Sequence, residues 1–308
     1  MKRLAIGILA VAVVAFGVFW WLTIPKKIDA VTKDWLSKPG DPILGQAVFW
    51  AGGCSSCHAV KGAKGDDKLK LGGNHALVTP VGIFNVPNIS PDSENGIGDW
   101  SVNDFANAML HGVSPDGKHY YPAFPYASYS TIEYMDIKHL WTYLQTLEPV
   151  KTKNKPHELS FPFNLSRGIG LWKLAFKDSQ TVGFRFAGQK DNDLIRGDYL
   201  VETLGHCGEC HTSRTSWGYG GVDTSRWLAG GPAPEGEGKI PNITPHETGI
   251  GSWSEADIVY YLESGFTPDF DSVGGSMASV QENMAKLPKS DLKAIAKYLK
   301  AIPPVASN

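Results

Sequence analysis

The four cysteines of the chain fall into two short motifs, Cys54-Ser-Ser-Cys57-His58 and Cys207-Gly-Glu-Cys210-His211, and none is left over. Paired cysteines in an exported chain can close disulfides. Two pairs can pool with histidines into a tetrahedral zinc cage, and a Cys-x-x-Cys following a strand can run thiol redox chemistry. None of these needs a histidine directly after the second cysteine at both sites. Covalent haem attachment does, because two thiols reach the vinyl groups on one edge of the macrocycle while the next residue turns its imidazole under the iron. Each motif is complete by itself. The expectation is two covalently bound haem c groups, attached at Cys54, Cys57, Cys207 and Cys210, with His58 and His211 as proximal ligands.

The elements that must position these motifs are written twice. Val86-Pro87-Asn88-Ile89-Ser90-Pro91 matches Ile240-Pro241-Asn242-Ile243-Thr244-Pro245, and Gly96-Ile97-Gly98-Asp99-Trp100-Ser101 matches Gly249-Ile250-Gly251-Ser252-Trp253-Ser254. The offset rises only from 152 (Gly45 to Gly197) to 155 (Asp136 to Asp291), so the halves share one architecture. Gly45 and Gly197 are each read as opening a short helix that leads into the motif. Ser101 and Ser254, with Asp104 and Asp257 three residues on, read as helix N-caps, and Gly112 and Gly265 as stops. Ile137, Leu140, Trp141 and Leu144 form one apolar helical stripe, and Leu292, Ile295, Ala296 and Leu299 its counterpart. The 34 glycines and 20 prolines call for long loops between helices.

The halves differ at the residue that would take the sixth coordination position. Eight residues after Pro-Asp in the second half stands Met277, on a Gly-rich loop, a soft neutral ligand that raises the potential. Met284 is the rival, and core packing is the alternative role for either. The equivalent position in the first half is Phe124, which cannot bind iron. His119 on the same loop is the first choice there. His111, Met109, His75 and Met135 are further choices, and a five-coordinate iron capped by Phe124 is the remaining one.

Lys2-Arg3 precedes an uncharged run from Leu4 to Ile24, whose 21 residues make ~31 Å of helix, about the hydrocarbon thickness of a bilayer. The run ends in Phe19-Trp20-Trp21, an interfacial aromatic belt. The expectation is an uncleaved anchor with Lys2 and Arg3 in the cytoplasm; a removed signal peptide is the alternative, and either exports the body. The domains expected are an anchor at 1–28, haem domains at 29–150 and 191–305, and an interdomain linker at 151–190 packed at the seam through Trp172, Phe176, Phe184 and Phe186. The formal net charge of -2 offers no basic surface for nucleic acid.

Together the two CxxCH motifs, the repeated PNI(S/T)P…GIG-x-W-S segment, YPAFPY and GGSM resemble the haem-c subunits of membrane-bound bacterial alcohol dehydrogenases. They also resemble the related cytochrome subunits of sugar-acid and N-heterocycle dehydrogenases, over residues 40–305. The resemblance implies a mainly α fold of two tandem class I-like cytochrome c domains with long Gly/Pro-rich loops, preceded by one N-terminal transmembrane helix. It implies Met277 as distal ligand, and Asn88, Asn242, Trp100 and Trp253 lining or bracing the haem pockets, at the propionates in one version. It also implies a periplasmic, single-pass electron carrier of the bacterial inner membrane. Such a carrier would take electrons from a membrane-associated dehydrogenase or quinol-linked donor and pass them to an acceptor such as a terminal oxidase. Two departures stand out. The alcohol dehydrogenase subunits carry three haem motifs, and their first loop tends to read Pro-Ala-Met-Pro-Tyr where this chain has Phe124. A haem enzyme with an open first iron is the competing reading; no further catalytic motif is present.

Overall fold

The computed structural model describes residues 1–28, 35, 38–177, 185–215, 220–234 and 238–307. It begins with α1 (Lys2–Leu22), none of whose residues is buried. Among the described residues α1 is the one helix long and apolar enough to cross a membrane. The first half then runs α2 (Pro42–Ala51), α3 (Cys54–His58), the hairpin β1 (Ala76–Thr79) and β2 (Gly82–Asn85), α4 (Val102–His111), α5 (Tyr126–Tyr129) and α6 (Tyr134–Leu144). β3 (Glu158–Leu159) and α7 (Ile169–Phe176) follow. The second half runs α8 (Asn192–Tyr199), extended by a π-helical turn over Leu200–Leu204, then α9 (Gly208–His211), the short strands β4 (Gly231–Pro232) and β5 (Lys239–Ile240), α10 (Glu255–Ser264), α11 (Met277–Met284) and α12 (Lys289–Ala301). The fold is mainly helical.

The helix boundaries follow from local chemistry. Asp41 caps α2 by accepting from the amides of Ile43 and Leu44, with Pro42 in the first turn, where its missing N–H costs nothing. Asp191 caps α8 in the same way. Ser101 with Asp104 and Ser254 with Asp257 form complete capping boxes on α4 and α10. Both helices end on a glycine in the left-handed conformation, Gly112 at φ 58° and Gly265 at φ 79°.

Gly45 and Gly197 do not open their helices, contrary to the expectation from sequence; they lie inside α2 and α8, where those helices cross α6 and α12. A Cβ on Gly45 would sit 2.0 Å from the His139 carbonyl oxygen, and one on Gly197 would sit 2.1 Å from that of Ala294. Each crossing is so close that only glycine fits, and the obstacle is backbone. Gly197→Ala is therefore expected to destabilise the fold by about 3 kcal/mol through forced separation of α8 from α12. Chemical denaturation checks this, and an unchanged midpoint would show that the crossing is not tight.

Both expected apolar stripes are inside. Ile137, Leu140 and Leu144 on α6, and Leu292, Ile295, Ala296 and Leu299 on α12, belong to one contiguous core that runs through both halves, with Trp141 packed against it. The described residues of the segment 151–190 make contacts in both halves. Leu159 pairs with Gly82 of β2, and α7 packs beside the end of α1, where a Cβ on Gly170 would meet the Thr23 side chain. Trp172 stacks edge-on to Tyr126, and Phe186 to Tyr298, whereas Phe184 lies outside the described residues.

One buried acid in the second half gives a pH signature. Glu202 is 2% exposed and accepts from the Tyr298 hydroxyl at 2.7 Å. Burial, with the charge of Asp198 alongside, pushes its carboxyl up to about 8. The folded protein thus holds a proton that the unfolded chain releases near pH 4.5. Its contribution is present below that pH and is lost as pH rises to about 8, at up to about 1.4 kcal/mol per pH unit. Glu202→Gln is expected to flatten unfolding stability between about pH 5 and 8; a slope equal to the wild type's would exclude Glu202 as its source.

Candidate functional site

The two motifs have the same local geometry. α3 starts after Gly53 in the left-handed conformation at φ 63°. At the equivalent position before Cys207 stands His206, at φ 37°, an uncommon conformation for a residue with a Cβ. Within each motif the first cysteine is half-buried and the second exposed, and no disulfide joins either pair. Burial pushes the Cys54 and Cys207 thiols up to about 12. Among the described residues no group of three or more His, Cys, Asp or Glu side chains converges on a point, so the four cysteines do not pool into one metal cage.

The histidines decide what the motifs are built for. His58 Nδ1 lies 2.8 Å from the carbonyl oxygen of Pro87, and His211 Nδ1 lies 2.8 Å from that of Pro241. A carbonyl only accepts, so Nδ1 carries the proton in both rings and Nε2 keeps its lone pair. Burial pulls His58 down to about 4 and lowers His211 too, which keeps both imidazoles neutral at physiological pH. A neutral, oriented imidazole with Nε2 available is what an iron ligand requires, and the outer bond to a carbonyl raises its basicity. The residues therefore fit a haem c at each motif. When bound, each haem supplies one iron that cycles between ferrous and ferric states.

The loops carrying Pro87 and Pro241 are held by the asparagines singled out in the sequence. Asn88 Nδ2 donates to the carbonyls of Val150 at 2.6 Å and Thr152 at 3.0 Å, and its Oδ1 accepts from the Ser90 amide. Asn242 Nδ2 donates to Val305 O at 2.7 Å and Thr248 Oγ1 at 3.2 Å, and its Oδ1 accepts from the Thr244 amide. Both amide protons are used in each case, so the asparagines brace the loop and have no donor left for a propionate. Trp100 and Trp253 pack half-buried against the core. Trp100 lines an open groove with Tyr120, Tyr121 and His157, and Trp253 meets Tyr261 edge to face.

His119 is held elsewhere. Its Nε2 lies 2.9 Å from the Thr23 carbonyl, just past α1, and its Nδ1 lies 3.1 Å from Lys173 Nζ. Both nitrogens are engaged beside the end of α1. Phe124 instead packs against Tyr129 at 5.9 Å, and the Tyr129 hydroxyl donates to the carbonyl of Gly52, two residues before Cys54. Met109 is core, Met135 and His75 are half-buried, and His111 ends α4. Met277 opens α11 and touches the core; Met284 is buried, its Cε 3.7 Å from where a Cβ on Gly205 would stand.

Sequence reasoning missed the seam. The residues between the cysteines of each motif bond to the other half. Ser55 Oγ donates to Asn283 Oδ1 at 2.9 Å, and Asn283 Nδ2 donates to Ser56 Oγ at 2.8 Å. In the opposite direction Ser128 Oγ, on α5, donates to Glu209 Oε1 at 3.0 Å, while Arg214 holds the other oxygen. The rings of Tyr129 and His206 meet edge to face at 5.5 Å between the two motifs. The departure from glycine at His206, within an otherwise faithful repeat, was the one available signal.

Comparison with known proteins agrees with this geometry. The cytochrome c family matches residues 43–148. A protein described as diheme cytochrome c-type, from Cereibacter sphaeroides, is 49% identical over 306 residues, which is 99% of this chain and 100% of the relative. The chain belongs to the di-haem c-type cytochromes. This cytochrome carries two covalently bound haem c groups and serves electron transport. It is also similar to the fructose dehydrogenase cytochrome subunit of Gluconobacter japonicus, 35% identical over 266 residues, covering 86% of this chain and 53% of the relative. The gluconate 2-dehydrogenase cytochrome c subunit of Pantoea cypripedii is 34% identical over 264 residues, covering 84% of this chain and 58% of the relative. The cytochrome therefore spans little more than half the length of these two dehydrogenase relatives.

Proposed function

We propose that this di-haem cytochrome is an electron-transfer subunit held on the outer face of a bacterial inner membrane by α1. Its body lies in the periplasm, takes electrons from a membrane-associated dehydrogenase or another redox donor, and delivers them to an acceptor such as a terminal oxidase. The observation that carries the reading is the twin proximal arrangement, with His58 on Pro87 O and His211 on Pro241 O at the same distance. The dehydrogenase cytochrome subunits among its relatives support the choice of donor. Cys54, Cys57, Cys207 and Cys210 attach the haems, His58 and His211 are proximal ligands, and Met277 is the distal ligand of the second haem. The units are an anchor at 1–28, tandem cytochrome c domains at 29–150 and 191–305, and a connecting segment at 151–190.

Within this reading the seam sets the two haems in one rigid unit. Ser55, Ser56 and Glu209 each bond across it from inside a motif. Potentiometric titration of the purified holoprotein tests the proposal: two one-electron steps and no substrate turnover by the chain alone are expected. Turnover of a small molecule by the isolated chain would favour the enzyme reading instead.

One observation keeps that second reading open. Phe124 stands against Tyr129 where a sulfur would serve, and His119 is turned to Thr23 and Lys173. In this reading Phe124 closes the distal side of the first haem without binding its iron. Reduced protein should then bind one carbon monoxide per chain. Two low-spin haems indifferent to carbon monoxide would show a sixth ligand at both irons.

A further inference from the structure

We propose that the segment 161–176 lies in the headgroup layer of the membrane and seats the cytochrome body on it through the exposed face of Phe161, Leu165, Leu171 and Leu174. The inference rests on the reading that α1 spans that membrane. Five large apolar side chains are exposed within this one stretch, Phe161 at 78%, Phe163 at 39%, Leu165 at 56%, Leu171 at 44% and Leu174 at 54%. Leu171 and Leu174 are three apart on α7 and so share a face. Gly170 and Lys173 take the adjoining face, about a quarter-turn round: Gly170 is buried against Thr23, and Lys173 Nζ donates to the carbonyls of His111 at 2.7 Å and Gly112 at 2.8 Å. The helix is thus fastened by its polar and small residues and turns its leucines outward.

What covers the outward face follows from its level. Arg167 Nη2 donates to the carbonyl of Trp20 at 2.7 Å, its Nε donates to Thr23 Oγ1 at 2.8 Å, and its guanidinium lies 4.2 Å from the Trp20 ring centroid. These contacts tie the start of α7 to the last turn of α1, where the hydrocarbon gives way to headgroups. An apolar face at that height, continuous with a spanning helix, meets lipid. The charges agree, because Lys26 and Lys177 both lie close enough to His111 to act on it, and basic side chains at that level suit anionic headgroups. His119, bonded to Thr23 O and Lys173 Nζ, is the body's contribution to the same joint. The arrangement gives the cytochrome a second membrane contact and a defined tilt, so the first haem domain faces the bilayer.

Cysteine scanning of the full-length holoprotein tests this, since the native cysteines are consumed in thioether links. Single variants L171C, L174C, V11C (in α1) and F270C (second half) are placed in nanodiscs of phosphatidylethanolamine and phosphatidylglycerol. Each is then treated with polyethylene-glycol maleimide or with a benzophenone maleimide and light. L171C and L174C should react at least ~tenfold more slowly than F270C, and their benzophenones should give phospholipid adducts, as V11C does. L171C and L174C labelled as fast as F270C, with V11C still lipid-embedded, would overturn the inference and leave the anchor intact. Rapid labelling of V11C would overturn the anchor and the inference with it. Slow labelling of L174C with adducts to protein alone would assign the face to a second copy of the chain and also overturn it.

Discussion

With serine in place of both Cys207 and Cys210, the chain should carry one haem instead of two, read as haem per polypeptide after alkaline pyridine treatment. Acid extraction into organic solvent should release no haem from either protein, because the remaining group is still covalently bound through Cys54 and Cys57. The loss is complete at one site because each motif is self-contained: the thiols, the imidazole and the carbonyl that orients it all lie in the same half. The variant should also be far less stable. Leu204 and Met284 belong to the core beside the motif and Cys207 packs against it, and removing a large apolar group from such a core costs its burial energy and leaves a cavity. A haem content still at two would remove Cys207 and Cys210 from the attachment.

Met277→Ala should lower the potential of one haem by on the order of 100 mV, a modest part of the ~0.8 V that axial ligands span. The sulfur-to-iron charge-transfer band should disappear with it. A thioether is a neutral, soft donor that favours ferrous iron, so its loss favours the ferric state. Met284→Ala is the informative control. Met284 is 5% exposed and fills the core beside Gly205, so its truncation should cost about 2–4 kcal/mol of stability with the potential nearly unmoved. A reversal of the two phenotypes would transfer the ligand role to Met284. The first haem should keep its potential in both variants, because Phe124 holds the corresponding place there.

The repeat made much of this readable in advance. The Ser101–Asp104 and Ser254–Asp257 caps and the glycine stops act within one turn of chain, so their residue types predict their geometry. The stripes on α6 and α12 are likewise local periodicity, and they are buried as read. The contacts of His119 were not legible, because proximity along a loop says nothing about which way a ring turns; Thr23 and Lys173, 96 and 54 residues away, decide that. Gly45 and Gly197 were misplaced for the same reason. What requires glycine there is a carbonyl of another helix, not a boundary of its own.

The amino-acid order alone determined the cofactor and its number, since a Cys-x-x-Cys-His motif carries its attachment chemistry within five residues. It determined too the length of the apolar helix α1 and most helix ends, all properties of short stretches of chain. The tertiary structure decided which carbonyls tune the two imidazoles, why Asn88 and Asn242 face backbone, and how the motifs meet across Ser55, Asn283, Ser128 and Glu209. Those are contacts between residues tens to hundreds apart, set by the packing of α2 on α6 and α8 on α12. Directed bonds of about 3 Å exist only once that packing has fixed both partners.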